Sequence, residues 1–194
     1  MLVSLIFMVL CRICFVFISF YTNENQIMLN LPPYKIFPTI SNQVVSLRSV
    51  IESDLEELIE ISFYETVRAQ TKEDAYEMQL KINNDYETGN SIHWCIIDSI
   101  TNKIVGTCGF YRGFQNEAGE LGCILLPHHR GFGYMTSALL LAVQYGKNAV
   151  GLSRIWASTS KENKEAIKLL ERLNFICSHE SIDGEMKFEF ICTT

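Results

Sequence analysis

The chain has 194 residues, 48% of them hydrophobic, and a formal net charge of −6. Such a length suits one globular domain with a short appendage, able to bury a real core. The acidic balance excludes general nucleic-acid binding through phosphates and agrees with a cationic partner such as an amine or a basic peptide end.

Residues 2–20 are almost entirely apolar, broken by Arg12, and are long enough to cross a bilayer. A charge in mid-span is costly in lipid, no basic stretch precedes the run and no small-residue cleavage site follows it, which argues against a signal peptide. Two readings stand for residues 1–27: a membrane anchor, or a mis-assigned start with translation from Met28. A Pro-containing lead-in over 28–42 and a domain over 43–194 follow. Seven cysteines, at 11, 14, 95, 108, 123, 177 and 192, are an odd number set mostly in apolar stretches, as expected of reduced thiols in a cytosolic fold. Neither Cys11 with Cys14 nor the histidines at 93, 128, 129 and 179 complete a metal-ligand pattern, so no metal is expected.

Residues 43–50 read as a strand. Ser53 with Glu56 forms a capping box for a helix carrying Leu55, Leu58, Ile59 and Ser62 on one face, and Thr71 with Asp74 opens a second helix stopped by Gly89. The loop between them holds Phe63, Tyr64, Glu65 and Arg68 and borders a candidate substrate pocket. Strands over 91–98 and 103–111 form a hairpin around Ser99-Ile100-Thr101-Asn102, with Trp94, Phe110 and Tyr111 read as core aromatics ahead of cleft lining.

The stretch 120–145 is a buried strand, a glycine-hinged turn and a helix in succession. Leu121, Cys123, Ile124, Leu125 and Leu126 end at Pro127, and His128-His129-Arg130-Gly131-Phe132-Gly133 leads into the helix. Two glycines beside the unpaired amides of a first helical turn, with Arg130 at the rim, describe either a phosphate cradle or a plain tight turn. Beyond it, 152–158 is a strand, and Ser160 begins a helix that turns Ala166, Ile167, Leu170 and Leu173 inward. Lys161, Lys164, Lys168 and Arg172 read as its solvated face. Strands over 175–180 and 185–192 finish the chain as a hairpin across Asp183-Gly184. The order is that of a mixed α/β domain, without the third glycine of a Rossmann fingerprint or the Gly-Lys-Ser/Thr of a P-loop.

Arg130-Gly131-Phe132-Gly133-Tyr134-Met135 resembles the acetyl-CoA motif Arg/Gln-x-x-Gly-x-Gly/Ala of the GNAT superfamily of N-acetyltransferases. Asn163-Lys164-Glu165-Ala166-Ile167-Lys168-Leu169-Leu170-Glu171-Arg172-Leu173-Asn174-Phe175 resembles the family's Asn-x-x-Ala-x-x-Leu-Tyr-x-x-x-Gly-Phe. Glu120-Leu121-Gly122 suits the branch of RimJ/RimL type, the ribosomal-protein alanine acetyltransferases, and the likeness spans residues 43–192. It implies a GNAT fold, with a central, twisted, mostly antiparallel sheet of about seven strands and helices on both faces. Three positions depart from the pattern: Met135 replaces Gly or Ala, Leu170 replaces the tyrosine that many GNAT enzymes use as acid, and Asn174 replaces a glycine.

The resemblance implies direct transfer of an acetyl group from acetyl-CoA, as co-substrate and without a metal, to a primary amine of a protein N-terminus or a small molecule. Amides of Arg130, Gly131, Phe132, Gly133, Tyr134, Met135 and Thr136 are then the pyrophosphate cradle, backbone groups of Cys123 and Leu125 hold the pantetheine and polarise the thioester, and Asn163 bonds the donor from the other side. An alkyl ammonium must lose a proton before attack, and Glu120 is the candidate base, in competition with Glu117, a water chain and a purely structural glutamate. With Leu170 in the acid's place, Tyr134, water or the departing ammonium proton serves the thiolate. The alternative is an acyl-CoA-binding module with little or no catalysis. The expected setting is cytoplasmic, as a monomer or homodimer without nucleic acid, and at a membrane only if residues 1–27 are expressed.

Overall fold

In the computed structural model, which describes residues 28–192, the middle of the main sheet is joined by only three residue pairs. Both readings of residues 1–27, and Cys11 with Cys14, lie outside the described residues. In chain order the elements are β1 (Ile40–Ser41), β2 (Val45–Ser49), α1 (Leu55–Leu58), β3 (Phe63–Tyr64), β4 (Val67–Arg68), α2 (Lys72–Glu87) and β5 (Ile92–Asp98). Then come β6 (Ile104–Tyr111), β7 (Ala118–Leu125), α3 (Tyr134–Tyr145), β8 (Arg154–Ser160), α4 (Lys164–Arg172), β9 (Ile176–Glu180) and β10 (Glu185–Ile191). The sheet has eight strands in the order β1-β2-β5-β6-β7-β8-β10-β9. Every pairing is antiparallel except β7 with β8. The strand beyond the expected number is β1, two residues at an edge, while β3 and β4 form a separate small hairpin in the loop between the early helices.

Period-two alternation distributes the core to both faces. Val45, Leu47, Trp94, Phe110 and Leu121 pack with Ala138, Leu139 and Ala142 of α3 and with Leu170 and Leu173 of α4. On the opposite face Cys95 and Ile97 meet Leu58 and Ile61, and Leu55 packs on Ala75 and Met78 of α2. β5 is therefore apolar at nearly every position, because helices cover it twice.

The Thr71 box forms as read: Thr71 Oγ1 accepts from the Asp74 amide at 3.1 Å, and the Asp74 carboxylate accepts from the amides of Thr71 and Gln70 at 3.1 and 2.9 Å. Those bonds hold the Asp74 carboxyl below its ordinary value. Two other helix starts require correction. Ser53 and Glu56 make no box; Asp54 closes the turn instead, accepting from the Ile51 amide at 2.9 Å and from Arg48 at 2.6 and 3.0 Å. The later helix begins not at Ser160, which ends β8, but at Asn163, whose Oδ1 accepts from the Ala166 amide at 3.1 Å. Asn174 closes that helix at φ 63°, the left-handed conformation that asparagine tolerates.

The lead-in belongs to the folded unit. Asn30 donates its amide to Val150 O at 2.9 Å, Tyr34 its amide to the Tyr86 hydroxyl at 3.0 Å, and Trp94 Nε1–H reaches Pro38 O at 2.9 Å. Among the described residues no helix is long and apolar enough to cross a membrane.

Candidate active site

β7 and β8 pair at Ala118 with Arg154, Gly119 with Ile155 and Glu120 with Trp156, and then part. Beyond Glu120 the remaining residues of β7 keep only β6, and the remaining residues of β8 keep only β10. A slot thus opens through the sheet, edged by main-chain groups that have no strand partner on that side.

Glu120 stands at the apex of the slot. It is 8% exposed, its Oε1 is ion-paired with Arg112 Nη1, and its Oε2 is buried without a hydrogen-bond partner. An orphaned buried carboxylate oxygen is costly and waits for a donor. With Gly122 it lines an open cleft of about 560 Å³, walled also by Phe63, Tyr64, Glu65, Asp85 and Arg112. Leu121, on the other alternation, packs in the α3 core. Arg112 reaches Glu120 from a left-handed backbone at φ 60°, followed by Gly113 at 83°. Glu117, the competing base, also lies at positive φ, in the turn before β7, and is not among the residues of that cleft.

Tyr111 forms the floor. Gly109 and Gly122 are opposed across β6 and β7, and a Cβ on Gly122 would lie 2.9 Å from the Tyr111 ring, so the missing side chains make room for it to lie flat. Its hydroxyl and His93 Nδ1 are 2.8 Å apart. Burial raises the phenol's pKa and holds His93 down to about 4, so both stay neutral at physiological pH. Trp94 and Phe110 are fully buried core residues, whereas Tyr111 is cleft lining.

At the far end of β7, Gly131 and Gly133 take φ 86° and 81°, with nothing within 4 Å of where a Cβ would stand. The left-handed backbone, rather than crowding, calls for glycine here. The first bond of α3 runs from the Ser137 amide to Gly133 O, so the amides of Tyr134, Met135 and Thr136 precede it at the positive end of the helix. Phe132 is exposed, and the Met135 side chain packs into the core, leaving its amide at the turn. Arg130 makes long contacts of 3.3 and 3.4 Å to Leu125 O, and Arg172 of α4 reaches Thr136 Oγ1 at 3.4 Å, so two cations flank the turn.

The structure brings Cys123 and Leu125 together with that turn along one strand, and sets Asn163 at the head of α4, across the slot on the β8 side. Tyr134 lies elsewhere in its bonding: its hydroxyl donates to Asp98 Oδ2 at 3.0 Å, and this bond raises the phenol above its ordinary value. A proton so held is poorly placed to serve a leaving thiolate. Tyr134→Phe is expected to keep kcat within about threefold of the parent, since general acid catalysis contributes about 100-fold or more where it operates. A loss of tenfold or greater in steady-state assays would restore Tyr134 to that role. Leu170 is buried core.

Residues 45–176 match the family model described as the acetyltransferase (GNAT) domain. The chain belongs to the GNAT acetyltransferase family. It is similar to the uncharacterized N-acetyltransferase YoaA of Bacillus subtilis (strain 168), 27% identical over 72% of this chain and 84% of that one. Spermidine N(1)-acetyltransferase of Escherichia coli (strain K12) is 26% identical over 75% of this chain and 77% of its own. Among solved structures, ribosomal-protein-S5-alanine acetyltransferase from Vibrio fischeri superposes with a TM-score of 0.65 at 21% identity, covering 79% of this chain and 96% of that one. As a GNAT protein the chain is an acetyl-CoA-dependent acyltransferase. Its residues fit that co-substrate, with open glycines and free amides at a helix start for a pyrophosphate and an unpartnered strand edge for an amide-bearing arm. The contributions of His93, Arg112 and Asp98 escaped the sequence reading, and Tyr111, read as core ahead of cleft lining, lines the cleft; the glycine at 122, opposite Gly109, was the local signal that favours this.

Proposed function

We propose that this GNAT enzyme acetylates a primary amine, carried by a protein N-terminus or a small molecule, with Glu120 as the base. The observation that carries the reading is the position of Glu120 at the point where β7 and β8 part, its carboxylate turned to the cleft and one oxygen lacking a partner. The amine enters through the cleft, where Glu65 and Asp85 add negative charge and favour a cation. Glu120 takes a proton from the ammonium, directly or through water, and the neutral nitrogen bonds to the acyl carbon as the carbon–sulfur bond breaks. The sulfur leaves as the CoA thiol with the proton shed by the amine. Cys123 and Leu125 contribute main-chain groups along the slot, the amides of residues 130–136 and Arg130 hold the pyrophosphate, and Asn163 meets the donor from α4. The reading is supported by the likeness to a protein named spermidine N(1)-acetyltransferase, whose named substrate is a polyamine.

Free thiol release tests this. The full chain is incubated with acetyl-CoA and a panel containing spermidine, simple alkylamines and peptides with free N-termini. Release above hydrolytic background with at least one amine is expected; tight acetyl-CoA binding with no release for any of them would leave a binding module.

A further inference from the structure

A second cavity adjoins the cleft. It holds about 270 Å³ between the early helices and the sheet, and Phe63, Ile82 and Tyr111 line both spaces. Its wall is dominated by Leu58, Ile61, Met78, Ile82 and Ile124. Most of the polar groups it contains are already satisfied: Ser62 Oγ donates to Leu58 O at 2.9 Å, Gln79 Nε2 to Asn83 Oδ1 at 2.9 Å, and His93 shares its hydrogen bond with Tyr111 at 2.8 Å. The surface offered to a guest is therefore mostly apolar, and it holds no carboxylate to pair with an ammonium. An apolar cavity of about 150 Å³ already admits a guest the size of benzene.

The position of this space selects its occupant. Cys123 and Ile124 form part of the wall, and they belong to the stretch of β7 that has no partner on its β8 side. The unpaired edge that faces the slot and the wall of the cavity thus share the same two residues. The polar cleft containing Glu120 has about twice the volume, 560 Å³ against 270 Å³, and suffices for a charged amine. We infer that the smaller cavity receives the tail of the transferred acyl group, so that the enzyme accepts acyl-CoA thioesters longer than acetyl, such as propionyl and butyryl. This rests on the transferase reading above. The reaction is unchanged in its balance: the amine nitrogen bonds to the acyl carbon, the carbon–sulfur bond breaks, and CoA leaves as the thiol with the amine's proton.

The test uses the full chain and one amine that it acetylates, comparing acetyl-, propionyl-, butyryl- and hexanoyl-CoA by thiol release and product mass. Burial of each methylene is expected to lower the donor KM about fourfold up to butyryl, with kcat/KM for butyryl-CoA at or above that for acetyl-CoA. A butyryl kcat/KM more than tenfold below acetyl overturns the proposal while leaving the transferase reading intact; no release from any thioester overturns both. Ala75→Leu, which fills the cavity from α2, is expected to lower butyryl transfer at least tenfold and change acetyl transfer less than twofold. Met78→Phe repeats the experiment from a neighbouring turn, and acetyl transfer with an unchanged circular dichroism spectrum verifies folding in each. Equal effects on both donors overturn the cavity assignment. A tenfold preference for apolar over polar amines with acetyl-CoA, abolished by Ala75→Leu, assigns the cavity to the acceptor and likewise overturns it.

Discussion

Glu120→Gln should lower kcat by about 100-fold or more, the ordinary contribution of a positioned general base, while acetyl-CoA binds within about twofold of its parent affinity. The substitution keeps shape and volume and removes the charge. Its separation from the glycine turn at Gly131 and Gly133 follows from the fold, since Glu120 lies near the start of β7 and the turn follows its end. The stability cost should be small: the Arg112 side chain is 70% exposed and returns to water when its partner is lost, so the exposed half of the ion pair is worth about 1 kcal/mol or less. A structural glutamate predicts the reverse, a lowered melting temperature with turnover and its pH dependence preserved. The deciding measurement is kcat/KM against pH for both proteins; an acidic limb that survives the substitution unchanged removes Glu120 from the role of base.

Trp94→Ala is expected to destabilise the fold by about 3–5 kcal/mol, as large-to-small changes of a buried tryptophan do. Trp94 is fully buried and contacts Phe110, Tyr145 and Phe37 edge-on at 6.3, 5.4 and 6.5 Å between ring centres. Its indole N–H also holds Pro38 O, so the cavity comes with a lost tether for the lead-in. For a chain of this size the melting temperature should fall by about 6–20 °C. Trp94→Phe separates the two effects, because it restores much of the ring packing and not the donor. Thermal unfolding of both variants checks this, and a fall of under 3 °C for Trp94→Ala would mean that the aromatic cluster relaxes into the space.

What the sequence disclosed was what is encoded locally. Thr71 and Asp74 are three residues apart and bond to one another, so the start of α2 was legible. Ser53 has the same spacing to Glu56, yet a cation on β2 recruits Asp54 and moves the helix start. Gly131 and Gly133 could be read as a hinge because their need for positive φ is intrinsic. The parting of β7 and β8 could not, since Leu121 to Leu125 and Ile155 to Ala157 have the composition of paired strands and nothing in either marks where the pairing stops. Tyr134 reads in sequence as one candidate acid beside water and the ammonium proton; the partner of its hydroxyl, Asp98, is 36 residues away. The pairing of Arg112 with Glu120 depends on a left-handed arginine, a conformation its residue type does not announce.

The short junction between β7 and β8 has a mechanical consequence. It divides the sheet into two leaves: β1, β2, β5, β6 and β7 on one side, β8, β10 and β9 on the other, with three residue pairs as the stitching between them. A guest lying along the seam would supply the rungs that the ladder lacks, and its association would then consolidate the second leaf. Loosening β9 or β10, far from the chemistry, should then be felt as weaker donor affinity, and a tightly held donor should behave as an added strand.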